Sequence, residues 1–206
     1  MQHLAQLDSN PGFVEADTRA HCGNSLEGNF VWTLTMTDMV TGWTEFRATW
    51  IKGSGGVIEQ IKVIESLLPF PLRGFDCDNG SEFLNHHLLT YFSDHPNQPA
   101  FTCSRPYRKN DNAPVKQKNW TQARQVFGYD RIGKEHLAPL MNEAYSTLWC
   151  PPQNHFCLTL KLKEKSRVGA NLPIRLSFAQ GDPPSGHVRR MRHHGLALKP
   201  LHQRSK

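Results

Sequence analysis

The chain has 206 residues, 38% hydrophobic and 20% charged, which suits one sizeable core with a tail in a soluble, rather polar protein. No apolar run approaches the roughly 18 residues that a bilayer crossing needs, and the start MQHLAQLDSNPGF lacks a basic-then-apolar leader, so a cytoplasmic location and no membrane partner are expected. The net charge of +6 sits in residues 185–206, where Arg189, Arg190, Arg192, Lys199, Arg204 and Lys206 meet no acid and leave 18 basic against 18 acidic residues upstream.

Such an end either binds phosphates non-specifically or is simply solvated. Cysteines 22, 77, 103, 150 and 157 are odd in number, scattered and without a CxxC pair. That spacing argues against a zinc ribbon and for free thiols in a reducing compartment.

In chain order, GFVEADT (12–18) predicts a short strand ending at Asp17. FVWTLTMT and WTEFRATW, joined by DMVTG, predict a hairpin over 29–50, with Trp32, Trp43 and Trp50 packing it against a helix. Apolar residues at 57, 58, 61, 64, 67 and 68 predict an amphipathic helix after a glycine-rich start, ended by Pro69 and Pro71. The start GSGG lacks the Lys-Ser/Thr of a phosphate-cradling loop and reads as a connection. LRGFDC reads as a buried strand, SEFLNHHLLTYFSDH as a second helix and AFTCS as another strand. On that second helix the adjacent His86 and His87 point apart and form no chelating pair.

RPYRKNDN is a polar basic loop. A third helix is expected from Asn112, a good N-cap with Pro114 in the first turn, and a fourth over about 135–149. After Pro151 the pattern weakens, and residues from about 170 onward are expected to form a poorly ordered basic extension. The order of elements describes a mixed sheet flanked by helices.

Asp17, the pair Asp76 and Asp78, and the helix opening near Asp111 bring carboxylates to strand ends or a helix start. Acids converging from separate elements make an oxygen-ligand site for a hard cation such as magnesium, although aspartates at strand ends also serve as turn formers. Asp76 and Asp78 share a strand face, and only the one nearer the end, Asp78, should reach a metal. Arg105, Arg108, Lys109, Lys116, Lys118 and Arg124, with Tyr107 and Trp120 interleaved, suit either DNA phosphates and bases or a solvated face.

PGFVEADT, NFVWTLTMTDMVTGWTEFRA, LPFPLRGFDCDNGSEFLNHHLL, SRPYRKNDNAPVKQKNWTQARQVFGYDR and LKLKEKSRVGA together resemble the integrase catalytic core of bacterial insertion-sequence transposases of the DDE group. The resemblance spans residues 11–169, so residues 1–169 are taken as a catalytic-core-like domain and 170–206 as an irregular basic tail. It implies an α/β, ribonuclease H-like fold. It further implies DNA integration, transposition and recombination by Mg2+- or Mn2+-dependent strand cleavage and strand transfer. The partners implied are transposon-end and target DNA and further copies of the chain, at the bacterial nucleoid. Carried over, Asp17 and Asp78 are the catalytic metal ligands, and Arg105, Tyr107, Arg108, Lys109, Lys118 and Arg124 face DNA.

The third acid departs from the pattern. Where the family has glutamate, NDNAPVKQKNW places Lys116, and an ammonium donates hydrogen bonds but coordinates no cation. Asp111 is the nearest carboxylate that could replace it. The family also carries an upstream helix-turn-helix region that this chain does not show, and the likeness stops beyond Ala170. The expectation is a truncated, impaired transposase whose tail is a frameshift product. The alternative is a non-catalytic DNA-binding remnant.

Overall fold

The computed structural model describes residues 10–50, 53–77, 83, 86–103, 115, 118, 119, 123, 125–158, 162–166, 175–178 and 181–193. Runs of β-branched and aromatic residues form β1 (Phe13–Ala20), β2 (Val31–Asp38) and β3 (Thr44–Trp50). These three make an antiparallel meander. The shorter β4 (Gly74–Cys77) and β5 (Ala100–Cys103) add in parallel, giving a five-stranded mixed sheet of order β3-β2-β1-β4-β5. β1, which carries Asp17, is the middle strand.

Helix α1 (Ser54–Leu67) leads from β3 to β4, and α2 (His86–Ser93) from β4 to β5. Parallel neighbours need such crossovers. Val57, Ile61 and Ile64 of α1 and Leu88 and Phe92 of α2 pack on the sheet face made by Val14, Ala16, Leu34, Met36, Phe75 and Cys77. Full burial of each large apolar side chain contributes about 2 kcal/mol over exposure. Glu65 ties the two helices together, accepting from Tyr91 Oη at 2.7 Å and meeting His95 Nε2 at 2.9 Å. Of the three tryptophans expected to pack the hairpin, Trp43 is buried in this core, while Trp50 packs at the edge of the second.

Two glycines are fixed by close approach. Gly12 has φ +114°, and a Cβ there would sit 2.3 Å from the carbonyl oxygen of Pro71. Gly74 lies under the Phe13 ring, which a Cβ would meet at 2.2 Å. The DMVTG turn is closed by Asp38, whose carboxylate accepts from the amides of Gly12 and Thr41, both at 2.7 Å, and from the Thr41 hydroxyl at 2.6 Å. Burial raises the Asp38 pKa, and these hydrogen bonds oppose the rise.

On the opposite face, α3 (Gln125–Phe127), α4 (Leu137–Ala144), a π-helical turn (Tyr145–Trp149) and α5 (Cys150–His155) cover the β3 end of the sheet. The helix continues past Pro151 and Pro152, where the sequence pattern fades. A proline ring clashes with the carbonyl one turn back, and the wider π turn opens the backbone at that place. An edge strand presents unpaired backbone groups. Here the Asn142 side chain accepts from the Ala48 amide at 2.6 Å and donates to its carbonyl at 2.9 Å. Asn154 brackets Thr44 in the same way, at 2.9 Å for both bonds. Two side-chain amides thus stand in for a missing sixth strand.

Two further strands, β6 (Leu162–Ser166) and β7 (Arg175–Phe178), pair antiparallel by themselves. Helix α6 (Pro184–His193) follows, and its Val188 is fully buried in the main core. Within the stretch from 170 onward, the described residues 175–178 and 184–193 form these two elements, β7 and α6. Residues 194–206 lie outside the described residues.

Candidate functional site

Strand alternation decides which side chains can meet. With Val14 and Ala16 turned into the α1/α2 core, Glu15, Asp17, Arg19 and His21 take the opposite face of β1. Thr35 of β2 pairs with Asp17, and Thr33 with Arg19. On the other side Glu15 pairs with Asp76, and Asp76 with Thr102. A polar strip therefore crosses the middle of the sheet.

Asp17 is partly exposed, and its carboxylate is held in place. Oδ1 accepts from the Thr18 amide at 2.9 Å, and Oδ2 accepts from Asn119 Nδ2 at 2.8 Å. Asn119 is buried, and its Oδ1 accepts from the Thr35 hydroxyl. One helical turn before it, the amide of buried Val115 is donated to Glu15 Oε2 at 3.3 Å. Val115 and Asn119 thus meet both acids of β1. Asn119 is the principal residue that sequence reading missed. Its only signal was the expected helix, since nothing local marks a partner 102 positions away.

Asp76 is fully buried and accepts from the Thr102 hydroxyl. Asp78 and Lys116 lie outside the described residues, as do Arg105, Tyr107, Arg108, Lys109, Asp111 and Arg124. Lys118 is described and is mostly buried rather than freely solvated; burial lowers its pKa, and Cys157 opposes that.

Beyond Asp17 the strip turns from acidic to basic and aromatic. Arg19 Nε is buried and makes no hydrogen bond among the described residues. Arg19 and His21 line a cavity of about 230 Å3 with Cys22, Gly23, Leu26 and Tyr129. His21 is buried, with Nε2 2.8 Å from the Thr33 hydroxyl, which lies 3.0 Å from the Tyr145 hydroxyl. Burial lowers its pKa to about 4, so the ring is neutral at neutral pH. Burial likewise raises the Tyr145 pKa.

The loop after β1 is held by Arg131. Its guanidinium donates to the carbonyls of Cys22 (3.4 Å), Ser25 (2.9 Å), Glu27 and Asn29 (3.2 Å), and lies 5.1 Å from the Phe30 ring centre. No group of three His, Cys, Asp or Glu side chains that could hold a metal occurs among the described residues. Asp17 offers one oriented carboxylate with oxygen-donor chemistry suited to magnesium, but alone it does not complete a site. No helix among them is long and apolar enough to cross a membrane.

No protein-family model matches the chain. It is 40% identical over 174 residues to the uncharacterized protein y4rM of Sinorhizobium fredii (strain NBRC 101917 / NGR234). That match takes in 82% of this chain and 47% of y4rM, so the chain spans about half the length of this relative. Among solved structures, it is similar to the catalytic core domain of BIV integrase, with TM-score 0.54, 14% identity, 89% of this chain and 97% of that one. The HTLV-2 integrase catalytic core domain in complex with magnesium gives TM-score 0.51 and 12% identity, over 72% and 90% of the two chains. A chain of the simian T-cell lymphotropic virus intasome in complex with the PP2A regulatory subunit B56 gamma gives 0.57 and 12%, over 85% and 60%. The sheet order, its flanking helices and these likenesses agree: the chain has the ribonuclease H-like fold of integrase catalytic cores.

Proposed function

We propose that this chain is the catalytic-core part of a DDE-type transposase, built for phosphodiester cleavage and strand transfer in DNA transposition and now impaired by Lys116. The observation that carries this reading is the hydrogen bond from Asn119 to Asp17. It holds Asn119 against an oriented carboxylate of the central strand. Residues three apart share a helix face, and Val115 and Asn119, on either side of position 116, both touch acids of β1.

In this reading Asp17 and Asp78 hold magnesium, which when bound would supply electrostatic stabilisation of the phosphodiester oxygens. Asn119 fixes the Asp17 carboxylate. Arg19, two residues further along the same strand face, supplies a guanidinium suited to a DNA phosphate. Arg105, Tyr107, Arg108, Lys109, Lys118 and Arg124 are the further DNA contacts of this reading. Lys116 removes a ligand and adds like charge, which weakens metal binding and activity.

Nicking of supercoiled plasmid with Mg2+ or Mn2+ tests this. Wild type should be nearly inactive, Lys116→Glu should gain nicking, and adding Asp17→Asn should abolish the gain. Wild type nicking as fast as Lys116→Glu would refute the impairment. The second reading, a non-catalytic DNA-binding remnant, rests on the same Lys116. It predicts binding that falls steeply with salt and no nicking even by Lys116→Glu.

A further inference from the structure

β4 and β5 end on a pair of cysteines. Cys77 and Cys103 are register partners on adjacent parallel strands, with Sγ atoms 3.8 Å apart on the core face of the sheet. Neighbouring strands run about 4.8 Å apart, inside the ~4.4–6.8 Å range of Cα separations that a disulfide spans. Cys77 is fully buried and Cys103 partly exposed. Neither is in a disulfide.

We propose that Cys77 and Cys103 form an oxidative modification site, a dithiol that a peroxide-class oxidant converts to a cross-strand disulfide. The inference is independent of the proposed function. In the first step the Cys103 sulfur attacks peroxide and the O–O bond breaks, giving a sulfenic acid and water. In the second step the Cys77 sulfur attacks that sulfur and the S–O bond breaks. The departing hydroxide takes the Cys77 proton and leaves as a second water.

The remaining thiols lack this arrangement. Cys150 is buried, and burial first, then the charge of Glu45, raises its pKa well above the usual thiol value. Cys22 lies in the β1–β2 loop and Cys157 is exposed beyond α5.

The product would pin the last paired residues of β4 and β5. Cys77 immediately precedes Asp78, and Cys103 the basic loop, so the cross-link would act at the base of both segments.

The test is hydrogen peroxide treatment of the intact protein, alkylation under denaturing conditions and peptide mapping with and without reductant. The expected result is one reductant-sensitive peptide pair joining Cys77 to Cys103, lighter by two hydrogens. Cys103→Ser should leave Cys77 fully alkylated. Phenylarsine oxide, which bridges neighbouring thiols, should protect both cysteines in the untreated wild type and neither in Cys103→Ser. Cys103 oxidised to sulfinic acid with Cys77 still alkylable, or no bridging by the arsenical, would overturn the proposal.

Discussion

Lowering the pH should destabilise this protein through His21, because the ring is buried against Thr33 and Tyr145 with no acid partner among the contacts described. Its pKa is about 4 in the folded chain against 6.5 in the unfolded one. The folded value is the lower, so as pH falls through 6.5 the unfolded chain takes up the proton first. The stability that a neutral His21 contributes is therefore full above about 6.5 and is lost on the way down to about 4. Integrating the linkage between these values gives a loss of about 2 kcal/mol by pH 5. Urea unfolding followed by tryptophan fluorescence at pH 8, 6.5 and 5 measures it. His21→Gln, which cannot titrate, cancels the contributions of the other groups. Wild type should lose about 2 kcal/mol more than the variant over this range, and parallel pH profiles would refute the reasoning.

Asn142→Ala and Asn154→Ala should each cost about 1–3 kcal/mol by exposing a backbone pair on β3, and denaturant unfolding with light scattering should record lower stability and more association. Arg131→Lys should loosen the loop 22–30 nearly as much as Arg131→Ala, since a point charge does not reproduce a fork that reaches four carbonyls; limited proteolysis of that loop is the readout. Gly74→Ala should cost about 1–3 kcal/mol as its methyl displaces the Phe13 ring, measured by thermal melting.

Most of the scaffold was legible because it rests on local pattern. The alternation in FVWTLTMT, the apolar spacing after GSGG and the turn chemistry of DMVTG each specify an element by themselves. What stayed hidden depends on residues far apart in the chain. Asn142 and Asn154 sit in an ordinary helical stretch, and their role appears only when β3 is seen to be an edge. Asn119 matters through partners on β1 and β2. Pro151 suggested a stop because the π turn that accommodates it has no sequence signature. Asp17 was found through its neighbours in sequence, and its setting between Thr35 and Asn119 was not.

In the proposed function Asp17 belongs to a metal pocket whose third position is now cationic. Calorimetric titration with Mn2+ of wild type, Lys116→Glu and the double variant Asp17→Asn/Lys116→Glu tests it most directly. Lys116→Glu should bind at least about tenfold tighter than wild type, about 1.4 kcal/mol, and the double variant should lose that gain. Equal affinity in all three proteins would rule out a shared pocket of Asp17 and position 116.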